Sequence, residues 1–394
     1  MVGKVAFGVS IYPDFYNKDE CKEMLDQAKK LGYQRVFTSI QLGDLGFDQT
    51  KDEITDDFKF LFSYAAEIGM VLHVDINDRM LKRIGATVDN LKPLADWNIP
   101  IIRLDGGFSV QEIAEMTNNT FGIIIEENLS NYSELKKRLE MVKEIGNLKQ
   151  YYGCHNFFPR CDTGIILEDA IKVARMYQDE GCKTGIFIGS LYADKDLNQM
   201  GRGVVTVEKH RYLPAKIQAM ELLAYDSFDY IIFGDSNPRL DELKEVISSY
   251  QTLDDVITPQ QREVWKKHLD QQRLNTLCID IPVYWDNLDA DTISILESIV
   301  FLNRNDIAEK VIRGTQSRDI FQLAPNLPIK RTKYSITIDN TKSNRYCGEL
   351  QIMLEDLESV EYVNFVGVVK PYATDLLAII QKETIFFRLR GEKQ

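Results

Sequence analysis

Histidine is scarce in this chain, four in 394 residues, and no two stand at an HxH or HExxH spacing, which removes the common zinc-hydrolase patterns. The six cysteines, at 21, 154, 161, 182, 278 and 347, form no CxxC pair and keep no regular spacing. Reduced thiols and a cytoplasmic location are therefore expected, not a disulfide framework or a zinc ribbon. Basic charge is also short. Forty-seven Lys and Arg stand against 60 Asp and Glu, a formal net charge of −13, and a nucleic-acid surface would need clustered cations to neutralise phosphates. No apolar run is long enough to span a bilayer, and Met1 to Ser10 carry no signal-peptide core, so no membrane partner is expected. Walker loop, GxSxG elbow and Cys–His nucleophile patterns are missing too, and neither a metal nor a cofactor is expected.

What the chain does have is a cadence. Eight short apolar runs recur, at Val5 to Val9, Arg35 to Ile40, Val71 to Ile76, Ile101 to Leu104, Ile123 to Ile125, Tyr151 to Cys154, Thr184 to Ile188 and Tyr230 to Phe233. A segment of helical spacing follows each. In Lys18 to Leu31, for example, Cys21, Met24, Leu25, Ala28 and Leu31 repeat at three and four, with Gly32 behind as a C-cap. Eight such units predict an α/β fold, a (β/α)8 TIM barrel over residues 1–257. A basic stretch from Arg262 to Arg273 predicts a linker helix over 258–274. Residues 275–394 then read as a smaller, mostly β domain, with strands at Cys278 to Tyr284, Tyr334 to Ile338, Gly348 to Met353, Tyr362 to Val369 and Thr384 to Arg388, and short helices at Asp306 to Val311 and Thr374 to Gln381.

Active sites of such barrels lie at the C-terminal strand ends, so the polar residues there are the candidates. Period-two alternation puts His73 and Asp75 on one face of the third strand and Arg103 and Asp105 on one face of the fourth. Asp75, Asp105 and, after strand eight, Asp235 are the candidate catalytic carboxylates. An arginine inside a barrel must be paired, and pairing with Asp75 or Asp105 would hold that carboxylate ionised. Tyr12, His73, Arg103, Asn128, Asn131, His155, Asn156 and Arg160 are the candidate substrate-binding residues, because amides, imidazole and guanidinium beside aromatic rings suit a sugar. Asn131 reads equally well as an N-cap. Gly189 and Ser190 after strand seven, with Gly234 and Ser236 after strand eight, are candidates for the phosphate cradle frequent at this position.

The segment Gly153-Cys154-His155-Asn156-Phe157-Phe158-Pro159-Arg160, followed by Thr163-Gly164, resembles the "CHNFYP…TG" signature of a bacterial family catalogued as "outer surface protein", which includes 6-phospho-N-acetylmuramidases. Gly8 to Pro13, Val36 to Ser39, Asp75 to Asn77, Arg103 to Gly107, Asn128 to Asn131, Tyr346 to Gln351 and Val363 to Gly367 resemble it too. The resemblance implies a barrel followed by a cyclophilin-like β-barrel domain, and a cytoplasmic exo-acting glycosidase that cleaves a 6-phosphorylated muramic acid–glucosamine disaccharide in cell-wall recycling. Two departures stand out. Glu127 occupies the leucine position of the family's "LNASN", which argues against a shared catalytic role, and Gly203 to Glu208 replace its "GLPTLE" in a loop that shapes the pocket.

The expected function is thus glycoside hydrolysis of a phosphorylated disaccharide by two carboxylates drawn from Asp75, Asp105 and Asp235. The alternatives are a phosphosugar isomerase or aldolase, for which no strand-end Schiff-base lysine is evident, and a non-catalytic sugar-phosphate-binding protein. The second domain has three roles open to it: capping the mouth, closing the phosphate site with Arg318, Tyr346 or Glu349, or forming a homodimer interface.

Overall fold

The computed structural model describes residues 5–40, 47–48, 53–193, 203–259, 261–262, 274–286, 288–318, 320–382 and 385–392. Most of the linker helix expected over 258–274 lies outside them. The eight apolar runs become strands β1 (Ala6–Ser10), β2 (Arg35–Ser39), β3 (Val71–Ile76), β4 (Ile101–Leu104), β5 (Ile124–Asn128), β6 (Tyr151–Cys154), β7 (Thr184–Ile188) and β8 (Tyr230–Ser236). They close into a barrel in sequence order, all parallel, with β1 against β8. Every residue of β2, β4, β7 and β8 is buried, as expected when one face fills the barrel and the other meets helices. The first crossover helix, α1 (Lys18–Leu31), buries Cys21, Leu25 and Ala28. It starts at a capping box between Asn17 and Glu20 and stops at Gly32, whose φ of 97° lies in the left-handed region.

Two strands run further than the apolar pattern alone indicates. β5 continues through Glu126, Glu127 and Asn128, and β8 through Gly234, Asp235 and Ser236. Alternation then decides which way each side chain faces, and contacts between non-neighbouring strands identify the interior. Glu126 of β5 reaches His73 of β3 and Tyr230 of β8, which only inward-facing side chains can do. Glu127 faces the other way, pairing with Arg138 of helix α2 (Leu135–Ile145) at 2.7 Å. Above the Glu126 layer, Phe37 of β2 and Phe187 of β7 meet edge to face across the barrel, 5.0 Å apart. Gly185 makes room for the lower layer, since a Cβ there would stand 1.8 Å from the Tyr230 ring.

The second domain is a nearly closed, barrel-like sheet of seven strands: β9 (Cys278–Trp285), β10 (Phe301–Leu302), β11 (Val311–Gly314), β12 (Ser335–Asp339), β13 (Leu350–Met353), β14 (Val363–Val369) and β15 (Phe386–Gly391). Their order is β10-β15-β9-β14-β12-β13-β11, with β9 and β15 parallel and the other pairs antiparallel. The helix expected over Asp306 to Val311 does not form. Val311 opens β11 instead, and Ile307 stays exposed, so a helix there would have had no apolar face to bury. A helix not anticipated from sequence covers Ala290–Ser298. Residues 248–394 form most of one compact unit and residues 3–222 with 226–247 the other. Leu253 and Ile257, given to the barrel on sequence, pack with Leu274, Cys278, Val300 and Phe386.

Candidate active site

Alternation on β3 and β4 carries Asp75 and Arg103 to paired positions in the register, and their side chains meet, Arg103 Nη1 lying 2.6 Å from Asp75 Oδ1. The same nitrogen is 3.9 Å from Asp105 Oδ1, and Arg103 Nη2 donates to Asn156 Oδ1 at 3.1 Å. Ser39, at the end of β2, donates to Asp75 Oδ2 at 3.0 Å, and Asn128 Nδ2 donates to Asp105 at 3.4 Å. Five consecutive strands of the barrel, β2 to β6, therefore supply one polar cluster. Its two carboxylates differ in environment, the Asp75 side chain being 7% exposed and that of Asp105 42%. Burial pushes the Asp75 carboxyl up from its ordinary value; Arg103 pulls it down and the Asp105 charge adds to the rise, and burial prevails. Pairing with Arg103 alone would hold Asp75 ionised, as expected from the sequence; desolvation outweighs it.

Several sequence candidates have other engagements. His73 is fully buried beneath the cluster, its Nε2 2.8 Å from Arg35 Nη1 and its Nδ1 2.8 Å from Glu126 Oε1. Because a guanidinium only donates, Nε2 is the accepting nitrogen and the proton sits on Nδ1. His155 is also fully buried. Its Nε2 bonds the Ala170 carbonyl of α3 (Leu167–Gln178) at 3.1 Å and its Nδ1 lies 3.3 Å from Ser130 Oγ, while burial lowers it to about 4. Ser130 in turn accepts from the Asn156 backbone, so His155 acts on the cluster through the loop that carries Asn156. Tyr12 is buried with its hydroxyl on the Gly234 carbonyl at 2.8 Å. Asn131 is exposed and accepts from Ser133; α2 is entered through Glu134, so Asn131 is not its N-cap. Arg160 is exposed, with no side-chain partner among the described residues.

The expected phosphate cradle after β7 and β8 is occupied by the protein's own side chains. The Gly189 amide donates to Gln218 Oε1 at 2.9 Å, and the Ser190 amide to Asp235 Oδ2 at 2.7 Å. Ser190 Oγ donates to Glu242 at 2.7 Å, and the Val204 amide also donates to Asp235, at 2.8 Å. Ser236 is fully buried opposite Ser10 in the register, and a Cβ on Gly234 would stand 2.2 Å from the Val204 carbonyl. Two carboxylates thus fill the place where an anion was expected. Asp235, a candidate acid on sequence, serves as an acceptor that fixes two loops. Arg318, Tyr346 and Glu349 belong to the second domain, where Arg318 and Arg313 both pair with Glu349.

Two residues of importance escaped the sequence reading. Ser39 gives no signal beyond its place at a strand end and in the Val36 to Ser39 segment that resembles the family. Glu126 had one, because it shares parity with Asn128 on β5, and that parity puts it inside the barrel on the same logic that put His73 beneath Asp75. Among the described residues no three His, Cys, Asp or Glu side chains converge on a metal-sized position.

Comparison with known proteins agrees with this architecture. The family model described as 6-phospho-N-acetylmuramidase, N-terminal, matches residues 7–248, and its C-terminal counterpart matches residues 278–389. The crystal structure of an uncharacterized B. cereus protein is similar at a TM-score of 0.78 and 24% identity, over 98% of this chain and 99% of that one. A conserved Enterococcus faecalis protein of unknown function is similar at a TM-score of 0.68 and 22% identity, over 98% and 96%. At these identities the two structures show the shared fold. No curated protein matches the chain. The matches lend nothing to the "outer surface" label, and no helix of the described residues is long and apolar enough to cross a membrane. With both models aligned in order over the barrel and the second sheet, this chain belongs to the 6-phospho-N-acetylmuramidase family.

Proposed function

We propose that the chain hydrolyses the glycosidic bond of a 6-phosphorylated amino-sugar disaccharide with 6-phospho-N-acetylmuramic acid at the cleaved end, as part of cytoplasmic peptidoglycan recycling. Family membership supports the substrate class. The observation that carries the mechanism is the pair of carboxylates on one guanidinium nitrogen, at 2.6 and 3.9 Å. Asp75 is the acid. Burial favours its protonated form, and Arg103 stands ready to compensate the charge left when the proton passes to the leaving oxygen. Asp105, the open carboxylate, serves the anomeric side, while Asn128 and Asn156 orient hydroxyls. Sharing one nitrogen keeps the two carboxylate oxygens within about 6.5 Å of each other, the lower edge of the inverting range, which favours retention of configuration. Retention follows whether Asp105 or the substrate's own acetamido oxygen attacks.

The test uses two substrates. On the natural disaccharide Asp75→Asn should lose about 10²–10⁴ in kcat. On a nitrophenyl 6-phosphoglycoside, whose leaving group needs no proton, the loss should be far smaller. Equal losses on both would take Asp75 out of the acid role, and a first-formed product of inverted configuration by NMR would refute retention.

A further inference from the structure

The second domain's sheet has two unlike faces. Register pairs Ile312, Ile352 and Ile336 in one row across β11, β13 and β12, with Leu350 and Ile338 alongside, and all five are fully buried in the domain's core. The rows between them point the other way and are polar: Arg313, Gln351 and Thr337 lie side by side, with Asp339 and Glu349 next along their strands. This polar face is itself largely buried. Thr337 and Glu349 are 0% exposed and Asp339 4%.

The charged groups on it are prearranged. Glu349 Oε1 accepts from Arg313 Nε at 2.6 Å, and Glu349 Oε2 accepts from Arg318 Nε at 2.7 Å and also from Arg318 Nη2. The Arg318 guanidinium lies 5.0 Å from the centre of the Tyr346 ring. Two cations share one carboxylate, and the Nη1 of each guanidinium has no partner among the described residues. Fixed donors with a net positive charge suit an anion, because little ordering remains to be done on binding.

Around the arginines stand buried polar atoms with no hydrogen-bond partner among the described residues: Asn303 Nδ2, Thr337 Oγ1, Gln316 Oε1 and Asp339 Oδ1. Asn303 is tied to this place, since its Oδ1 accepts from the backbone amides of Arg304 and Arg313. Buried polar groups are nearly always paired, so four orphans beside an anion-ready arginine pair call for a partner outside the chain. Burial and the nearby Glu349 raise Asp339 to about 7, so near neutral pH this carboxyl is in part a hydroxyl-like donor and repels an anion less than a full charge would.

We propose that this polar face of the second domain is a binding site for a small hydroxyl-bearing anion of the sugar-phosphate class, with Arg313 and Arg318 holding the phosphate and Asn303, Thr337 and Asp339 the hydroxyls. The proposal does not rest on the hydrolysis assigned to the barrel. It is tested on the full chain by calorimetric titration with inorganic phosphate and with N-acetylglucosamine 6-phosphate. The wild type should bind both saturably and the sugar phosphate more tightly. Arg318→Gln should weaken both at least tenfold, and Arg313→Gln likewise, while Asp75→Asn in the barrel leaves this binding within twofold. Thr337→Val removes one orphan hydroxyl without touching an ion pair, and it should weaken the sugar phosphate several-fold while sparing inorganic phosphate. Binding that survives unchanged in the folded Arg313→Gln, Arg318→Gln and Thr337→Val variants would overturn the proposal, as would a wild type that binds neither probe.

Discussion

At the C-terminal ends of β3 and β4, two aspartates, an arginine and two amides meet and leave one carboxylate open to solvent. At the ends of β7 and β8, an aspartate, a glutamate, a serine and backbone amides meet and close on one another. Both regions hold the same kinds of residue at equivalent positions in the barrel, and the difference lies in what remains unspent. Arg103 divides one guanidinium between two carboxylates and an amide, so Asp105 retains capacity for a substrate. Asp235 receives two backbone amides and Ser190 Oγ gives its proton to Glu242, so that region organises loops. A polar strand end becomes a reaction centre only when local bonding leaves something over.

The largest expected effect that sets the two regions apart is on turnover. Asp105→Asn should lower kcat on the phosphorylated disaccharide by about 10²–10⁴. Its unfolding midpoint should hardly move, since a change at a half-exposed side chain usually stays within about 0.5 kcal/mol. An active Asp105→Asn enzyme would break the contrast at once. Next comes the interior layer beneath the open cluster. Glu126→Ala removes the charged acceptor shared by His73 and Tyr230 in a fully buried layer, so denaturant titration should show a loss of about 3–5 kcal/mol. If Glu126→Ala unfolds like the wild type, the layer is not what supports the cluster from below.

The closed region should show the reverse pattern. Asp235→Asn keeps the shape but gives up charge-assisted acceptance of the Ser190 and Val204 amides, at a cost of about 1–3 kcal/mol. Turnover per folded molecule should stay near that of the wild type. A kcat loss as deep as that of Asp105→Asn, with the midpoint intact, would return Asp235 to the chemistry and erase the distinction.

How far these regions were legible in sequence follows from the same physics. The barrel was legible because its strands are buried on both faces, which writes them as apolar runs, and because α1 carries its caps in Asn17, Glu20 and Gly32. Asp75, Arg103 and Asp105 were legible through strand parity. Where polar residues extend a strand, as in β5 and β8, the apolar pattern stops early, and the faces of Glu126 and Asp235 emerge only when the strands are carried on to Asn128 and Ser236. The closure of the β7 and β8 turn was not legible at all. It depends on Gln218 and Glu242, which lie 29 and 52 residues beyond the groups they bond. Likewise, the balance between burial and Arg103 at Asp75 needs the depth of the site, which spacing alone does not provide.

The finest test concerns His155, which directly follows β6 between the two regions and belongs, by its bonding, to the closed kind. Burial holds its imidazole neutral down to about 4, whereas in the unfolded chain it takes up a proton near 6.5. Between those values the unfolded state binds more protons than the folded state, so stability must fall as pH drops from about 6.5 to 4, and rise again on the way back. His73 is shifted in the same direction, also chiefly by burial, and contributes in the same sense. His155→Gln removes one of the two contributions. Urea titrations across this range should show the slope reduced by no more than about 1.4 kcal/mol per pH unit, the limit for a single proton. If His155 instead faced substrate, the variant would keep the wild-type slope of stability and show its effect in KM, because a group free to protonate in the folded state has no linkage to lose.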